Sequence, residues 1–99
     1  PREFKNALKS AKVYSDTMHM SKQGLYDQLS SEYGEQFSPE AAQYAIDNLE
    51  ADYHDNALQT ARNYEEMMSM SPNAIYDQLV SEYGEKFTAE EAQYAVDNL

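Results

Sequence analysis

Side chains that could act as nucleophiles or bases are scarce in this chain, apart from its many carboxylates. The 99 residues include no cysteine, and the two histidines are His19 and His54. Nucleophilic catalysis needs a serine, threonine or cysteine beside a base, which is usually histidine. The chain repeats itself at an offset of 50 residues, and the counterparts of the histidines are Ser69 and Phe4. We therefore interpret both histidines as exposed loop or helix-surface residues, and we expect no enzyme activity.

The carboxylates offer the other possible chemistry. A pair such as Glu32 and Glu35 could act as general acid and base. This pair lies around a predicted helix end, where solvated acids are common. The sequence contains neither a calcium loop of the D-x-D-x-D-G type nor a cluster of histidine and cysteine. It therefore specifies no catalytic site, no metal site and no cofactor.

The net charge is strongly negative. Eighteen Asp and Glu residues oppose seven Lys and Arg residues, which gives a formal charge of −11. Such a surface repels nucleic acid and anionic lipid and attracts basic partners, although solubility alone also accounts for it. Residues 39–49 and 89–99, the predicted third helices, contain no Lys or Arg. A DNA-reading helix needs such residues, so we predict no nucleic-acid binding. No apolar run is long enough to span a membrane.

The elements that carry these side chains occur twice. Residues 4–49 align with residues 54–99 without gaps, and 26 of the 46 paired positions are identical. The best-matched segments are LYDQLSSEYGEQF at 25–37 with IYDQLVSEYGEKF at 75–87, and AQYAIDNL at 42–49 with AQYAVDNL at 92–99. Self-similarity at a fixed period indicates that both copies fold alike. We predict a first repeat at residues 1–50 and a second repeat at residues 51–99.

Each repeat is predicted to contain three short helices, so the expected fold class is all-α. The first helix is expected from about Phe4 to Met18, where apolar residues recur at helical spacing. The second should begin after the N-cap Ser21 and run to about Tyr33, with Gly34 as the left-handed residue beyond it.

The third helix of each repeat has its own start signal. Ser38-Pro39 begins it in the first repeat, and a capping box of Thr88 and Glu91 begins it in the second. Three short helices joined by tight turns form a helix-turn-helix-like unit.

The connection between the repeats leaves two possibilities. No glycine or proline lies between Pro39 and Ser71, and apolar residues keep a spacing of about 3.6 residues across the join. This pattern predicts one long helix shared by the two repeats. The alternative is a break near residues 52–55, because Asp and Asn disfavour helix interiors.

Tyrosine and methionine are the prominent apolar residues. Four of the nine tyrosines recur in the second repeat, and we expect most rings to serve as bulk in a leucine-poor core. The alternative is that some of the rings belong to an interface, where tyrosine is enriched. The methionines near the ends of the first helices are expected to fill the core rather than to line a binding groove.

The paired motifs Y-D-Q-L…S-E-Y-G-E…F and A-Q-Y-A…D-N-L resemble those of the Ltp-type host cell surface-exposed lipoproteins. The resemblance extends over nearly the whole chain. Within the family, the chain is similar to the prophage-encoded superinfection-exclusion lipoproteins of lactic streptococci. Such proteins carry a lipobox cysteine and a polar linker before the repeats. Both are missing here, so the chain is expected to be the soluble functional part of a protein that is lipid-anchored on the outer face of the Gram-positive cytoplasmic membrane. We also expect it to be a monomer.

The resemblance also implies a function and a partner. Family members of this kind block DNA injection by another phage, and the implied partner is a tail component, with the tape measure protein as the leading candidate. Charge then suggests which residues bind it, because the second repeat has ten acids and two bases, whereas the first has eight and five. The candidate partner-binding acids are Glu65, Glu66, Asp77, Glu82, Glu85, Glu90, Glu91 and Asp97. The alternative function is a general cell-surface or cell-wall adhesion module that binds through its tyrosines.

Overall fold

Six α-helices and no β-strand make up the computed structural model, which describes residues 1–99. The helices of the first repeat are α1 (Arg2–Met18), α2 (Lys22–Ser30) and α3 (Pro39–Asn48). Those of the second are α4 (Tyr53–Met68), α5 (Pro72–Val80) and α6 (Ala89–Asp97). The predicted all-α fold with two tandem three-helix units is confirmed. The molecule is elongated, with principal extents of 44 × 24 × 21 Å.

The helix starts follow the predicted capping residues. The hydroxyl oxygens of Ser21 and Ser71 accept hydrogen bonds from backbone N–H groups at 3.0 and 3.2 Å, respectively. Ser38 does the same at 3.2 Å, and Thr88 forms the predicted capping box with Glu91. Each cap satisfies an N–H group that the helix leaves free and stabilises the fold by about 1 kcal/mol.

The predicted end of the second helix is wrong. The α2 helix ends at Ser30 rather than near Tyr33, and no glycine has a positive φ. The left-handed residue of this turn is Gln36, with φ 60°. Gly34 is required for a different reason, because a Cβ there would lie 2.2 Å from the carbonyl oxygen of Gln28. The turn folds back so closely over the helix end that no side chain fits.

The predicted long helix across the join is also wrong. The α3 helix ends at Asn48, and Leu49 is extended, with φ −73° and ψ 128°. A new helix then starts because the Asp52 side chain accepts a hydrogen bond from the backbone N–H of Asp55 at 3.0 Å. This capping interaction stabilises a helix start at the expense of a continuous helix. Leu49 meanwhile turns toward the first core.

Each repeat has a hydrophobic core of its own. Alanines dominate where the first and third helices cross, which lets their backbones approach closely. The first core consists of Ala7, Ala11, Leu29, Ala41, Ala42 and Ala45. The second is larger and consists of Ala57, Leu58, Ala61, Ile75, Leu79, Phe87, Ala92 and Ala95.

Polar groups join the two repeats, and we call this contact the seam. Asn56 and Thr60 lie one turn apart on α4 and face the end of α1. The Asn56 amide donates to the Ser15 hydroxyl at 3.0 Å and to the Met20 carbonyl at 2.9 Å. The Thr60 hydroxyl donates to the carbonyl of His19 at 3.1 Å.

The turn after α5 adds a second set of seam contacts. The Ser21 hydroxyl donates to the carbonyl of Glu85, and Lys86 forms an ion pair with Asp27. Because Ser15 and Asn56 are both buried, these hydrogen bonds fix the orientation of the repeats. Leaving either group unpaired would cost about 1–3 kcal/mol.

Candidate protein-binding surface

The eight candidate acids are distributed over all three helices of the second repeat rather than gathered in one cluster. All are exposed except Glu85 and Glu91, which are half-buried. Their positions are the end of α4 (Glu65 and Glu66), α5 (Asp77), the following turn (Glu82 and Glu85), the first turn of α6 (Glu90 and Glu91) and its end (Asp97).

Four of these acids have partners within the chain. Glu85 accepts a hydrogen bond from the hydroxyl of Tyr64 at 2.9 Å, and Glu91 accepts one from the backbone N–H of Thr88 at 2.9 Å. The remaining two contacts are Glu90 with His54 Nε2 at 3.2 Å and Asp97 with Gln93 Nε2 at 2.8 Å. Glu85 therefore has a structural role that the sequence did not reveal, and Glu91 forms the capping box that the sequence predicted.

The other four candidate acids, Glu65, Glu66, Asp77 and Glu82, form no side-chain hydrogen bond and no ion pair. All four are exposed. The second repeat has only two bases, and one of them, Lys86, is engaged by Asp27 of the first repeat. The charge of these four carboxylates is thus available to a cationic partner, and we call them the free acids.

Two tyrosines anchor the turns that follow α2 and α5. The Tyr14 hydroxyl donates to Glu35 at 2.9 Å, as Tyr64 donates to Glu85 in the second repeat. The hydrogen bond to Glu35, followed by burial, raises the pKa of Tyr14. Burial, followed by the hydrogen bond to Glu85, raises the pKa of Tyr64. Both phenols stay protonated at neutral pH and hold their turns in place.

Tyr33 and Tyr83 differ from this pattern. They lie in those same turns and are 92% and 93% exposed. Their backbone N–H groups are bound by the hydroxyls of Ser31 and Ser81, both at 3.1 Å. A fixed backbone thus presents a nearly bare ring in each repeat, so these two are the tyrosines that fit an interface.

The methionines depart in part from the expected core-filling role. Met70 packs against the second core. Met67 and Met68, at the end of α4, are 82% and 64% exposed, and Met18 at the end of α1 is exposed as well. The end of α4 therefore combines flexible apolar side chains with the free acids Glu65 and Glu66. Both kinds of side chain suit contact with a partner.

The histidines occupy structural positions. His19 ends α1 in the left-handed conformation with φ 52°. His54 lies in the first turn of α4 and packs edge-on against Tyr94, with 5.3 Å between ring centroids. No group of three or more His, Cys, Asp or Glu side chains is arranged to hold a metal ion. None of the helices has the length and apolar character to cross a membrane.

Comparisons with known proteins agree with this architecture. The family model for the host cell surface-exposed lipoproteins matches twice, at residues 2–49 and 52–99. Among solved structures, the chain is similar to Ltp, a superinfection exclusion protein from the Streptococcus thermophilus temperate phage TP-J34. The identity is 48%, the TM-score is 0.91, and the alignment covers 100% of this chain and 97% of that chain. No curated protein sequence matches.

Proposed function

The chain belongs to the host cell surface-exposed lipoprotein family, and we propose that it acts in superinfection exclusion. The proposal is carried by the full-length similarity to a superinfection exclusion protein at 48% identity. In this proposal the protein blocks DNA injection by an incoming phage. It does so by binding a phage tail component, for which the tape measure protein is the leading candidate.

The acidic surface supports binding by charge. The second repeat has ten acids and two bases, and its free acids have no partner within the chain. Unpaired surface charges of one sign raise the association rate of an oppositely charged protein, and salt weakens the effect. A basic stretch of a tail component has the required charge. Of the eight candidate acids, we assign the binding role to the four free acids, since the other four are bound within the fold.

A lipid anchor would place the domain where this interaction is needed. In this proposal, a lipid-linked segment outside these 99 residues holds the repeats at the outer face of the Gram-positive cytoplasmic membrane. A tail component that emerges during injection would then meet the repeats before the DNA reaches the cytoplasm.

A phage challenge tests the function. The chain is displayed on a sensitive streptococcal host through a lipid anchor, and plaques, adsorbed particles and DNA release are counted. Normal adsorption with few plaques and no DNA entry is the expected result. Full plaque numbers across several phages, with the protein confirmed at the surface, would contradict superinfection exclusion.

The charge mechanism is tested in the same assay with two variants of equal charge change. One neutralises the free acids (E65Q, E66Q, D77N and E82Q), and we expect it to lose exclusion. Its matched control neutralises four exposed acids of the first repeat (E32Q, E40Q, D47N and E50Q) and should retain it. If both variants behave as the unmodified chain does, the tail component does not bind through acidic charge.

The exposed tyrosines favour a second candidate function, a cell-wall or cell-surface adhesion module. Tyr33 and Tyr83 present the same bare ring in both repeats, as expected of a surface that binds a repetitive target. An adhesion module should sediment with purified cell walls, and a Y33A/Y83A variant should not. A protein that captures tail components should stay in the supernatant, and its binding should weaken steeply with salt.

A further inference from the structure

The seam shows how one repeat of this fold binds a helix. The end of α1 and the start of α2 form a surface on the first repeat that receives two side chains from the start of α4, Asn56 and Thr60. Three groups of this surface accept hydrogen bonds from α4, namely the Ser15 hydroxyl and the carbonyls of His19 and Met20. Asp27 adds an ion pair with Lys86.

The second repeat has the equivalent surface, and nothing in the chain covers it. Both α1 and α4 end in a left-handed residue with φ 52°, so the two helix ends have the same backbone shape. Ser21 is 2% exposed in the seam, whereas its counterpart Ser71 is exposed. Met67, at the rim, is 82% exposed. We call this surface the open end, and it comprises Glu65, Met67, Ser69, Met70, Ser71 and Asp77.

The open end differs from the seam surface in charge. Ser15, which is 4% exposed under Asn56, is replaced by Glu65. Asp27 is replaced by Asp77, which has no cation to pair with. A segment that bound the open end as α4 binds in the seam would thus contact two carboxylates that have no cationic partner. Burying these charges is favourable only if the occupant brings cations to the same two places.

A second copy of the chain does not meet this requirement. The residues of the first repeat that correspond to Asn56, Thr60 and Lys86 are Asn6, Ser10 and Gln36. They retain polar groups but offer no cation at either place. The net charge of −11 further opposes the approach of two copies.

We infer that the open end of the second repeat is a docking surface for a basic helical segment of another protein. One Lys or Arg of that segment pairs with Glu65, at the place of Asn56 in the seam, and another pairs with Asp77, as Lys86 pairs with Asp27. The exposed methionines cover the apolar part of the helix. The inference rests on the proposed function for the identity of the partner, a tail component, but the physical claim can be tested with this chain alone.

The test supplies the missing cations on the chain itself. An N6K/Q36K variant carries lysines at the two places that face Glu65 and Asp77 if one molecule docks on another as the repeats do in the seam. Gln36 has φ 60° and Lys86 has φ 62°, so a lysine suits that backbone. Self-association is measured by sedimentation velocity over a range of protein and salt concentrations. A Q23K/Q43K variant of the same net charge is the control.

We expect the unmodified chain and the control to remain monomeric and the N6K/Q36K variant to form head-to-tail chains. Adding E65S and D77N to that variant should weaken the association by on the order of tenfold or more, because both ion pairs are lost. Three results would overturn the inference: a monomeric N6K/Q36K variant, an association that E65S and D77N leave unchanged, or self-association of the unmodified chain, which would make a second copy the occupant.

A phage challenge with an E65S/D77N variant of the unmodified chain connects the surface to its partner. Loss of exclusion, with the variant folded and displayed, is the expected result. Retained exclusion by this variant, while the unmodified chain excludes phage, would overturn docking of the tail component at the open end and leave the proposed function standing. Failure of the unmodified chain to exclude phage would contradict the proposed function and not the self-association result.

Discussion

The third helix begins in the same way in both repeats, yet the N-cap N–H group is bound from different places. In the first repeat, the N–H of Ser38 donates to Glu3 of α1 at 2.9 Å. In the second, the N–H of Thr88 donates at 2.9 Å to Glu91, three residues further on. Ala41, the counterpart of Glu91, is fully buried, so the first repeat has no room for a local carboxylate. A carboxylate thus accepts this hydrogen bond in both repeats, from α1 in the first and from α6 itself in the second.

The repeats differ more widely in how far their equivalent faces are exposed. One face of the first repeat is covered by the seam, while the equivalent face of the second is open. Position 15 is accordingly a buried serine and position 65 an exposed glutamate. A buried position tolerates few residue types, whereas an exposed one can acquire charge without loss of stability. The seam thus explains why position 65 carries an acid whereas its counterpart, position 15, does not.

The largest expected effect is the loss of stability when a core leucine of either repeat is truncated. Leu29 and Leu79 are equivalent and fully buried, so Leu29→Ala and Leu79→Ala should each lower the free energy of unfolding by about 2–5 kcal/mol. Because the seam couples the repeats, each variant should still unfold in one transition in urea. Two separate transitions, followed by far-UV circular dichroism, would show that the repeats unfold independently.

Next in size is the seam itself. Asn56→Ala removes two hydrogen bonds and leaves a buried hydroxyl without its donor, so the expected loss is about 1–3 kcal/mol. The matched control is Asn6→Ala, since Asn6 is the exposed counterpart, and its effect should stay within about 0.5 kcal/mol. Urea unfolding compares the two variants. Equal effects would mean that the seam adds nothing to stability.

The two capping carboxylates should have smaller and similar effects. Glu3→Ala and Glu91→Ala each leave a helix-start N–H group without its acceptor, which should cost about 1 kcal/mol. Glu32→Ala, an exposed acid without a side-chain hydrogen bond, serves as the control. Thermal unfolding at constant pH gives the comparison. A much larger loss for Glu3→Ala would indicate that its link between α1 and α3 matters beyond capping.

Alkaline pH should produce the smallest difference. The pKa values of Tyr14 and Tyr64 are raised in the folded protein, so the native state holds its phenol protons more tightly than the unfolded chain. This stabilisation is complete below the ordinary tyrosine pKa of about 10 and is lost as the pH rises through the raised values.

When the pH is raised from neutral to about 11, the variant Tyr64→Phe should therefore lose less stability than the unmodified chain. At neutral pH it should be the less stable of the two, because Glu85 loses its donor. Urea unfolding at several pH values measures both effects, with Tyr14→Phe as the first-repeat counterpart. An unchanged alkaline loss in both variants would show that other groups control it.

Local signals explain what could be predicted from the sequence. The repeat, the helix content and the capping serines depend on residues only a few positions apart, so periodicity and capping rules suffice to identify them. The signal for the helix break at Asp52 is also local, but the apolar spacing across the join favoured a continuous helix. The family resemblance rested on the same repeated motifs and was confirmed by the family match.

The amino-acid sequence by itself determined an acidic, all-helical tandem repeat without a catalytic motif, because composition and short-range pattern carry that information. Only the tertiary structure decided which acids are free and which face is open. Glu85 looks the same in sequence as Glu65 and Asp77, and only the folded chain shows that it is held by Tyr64. Seam contacts such as that between Ser15 and Asn56 join residues 41 positions apart, and no local rule pairs residues across that distance.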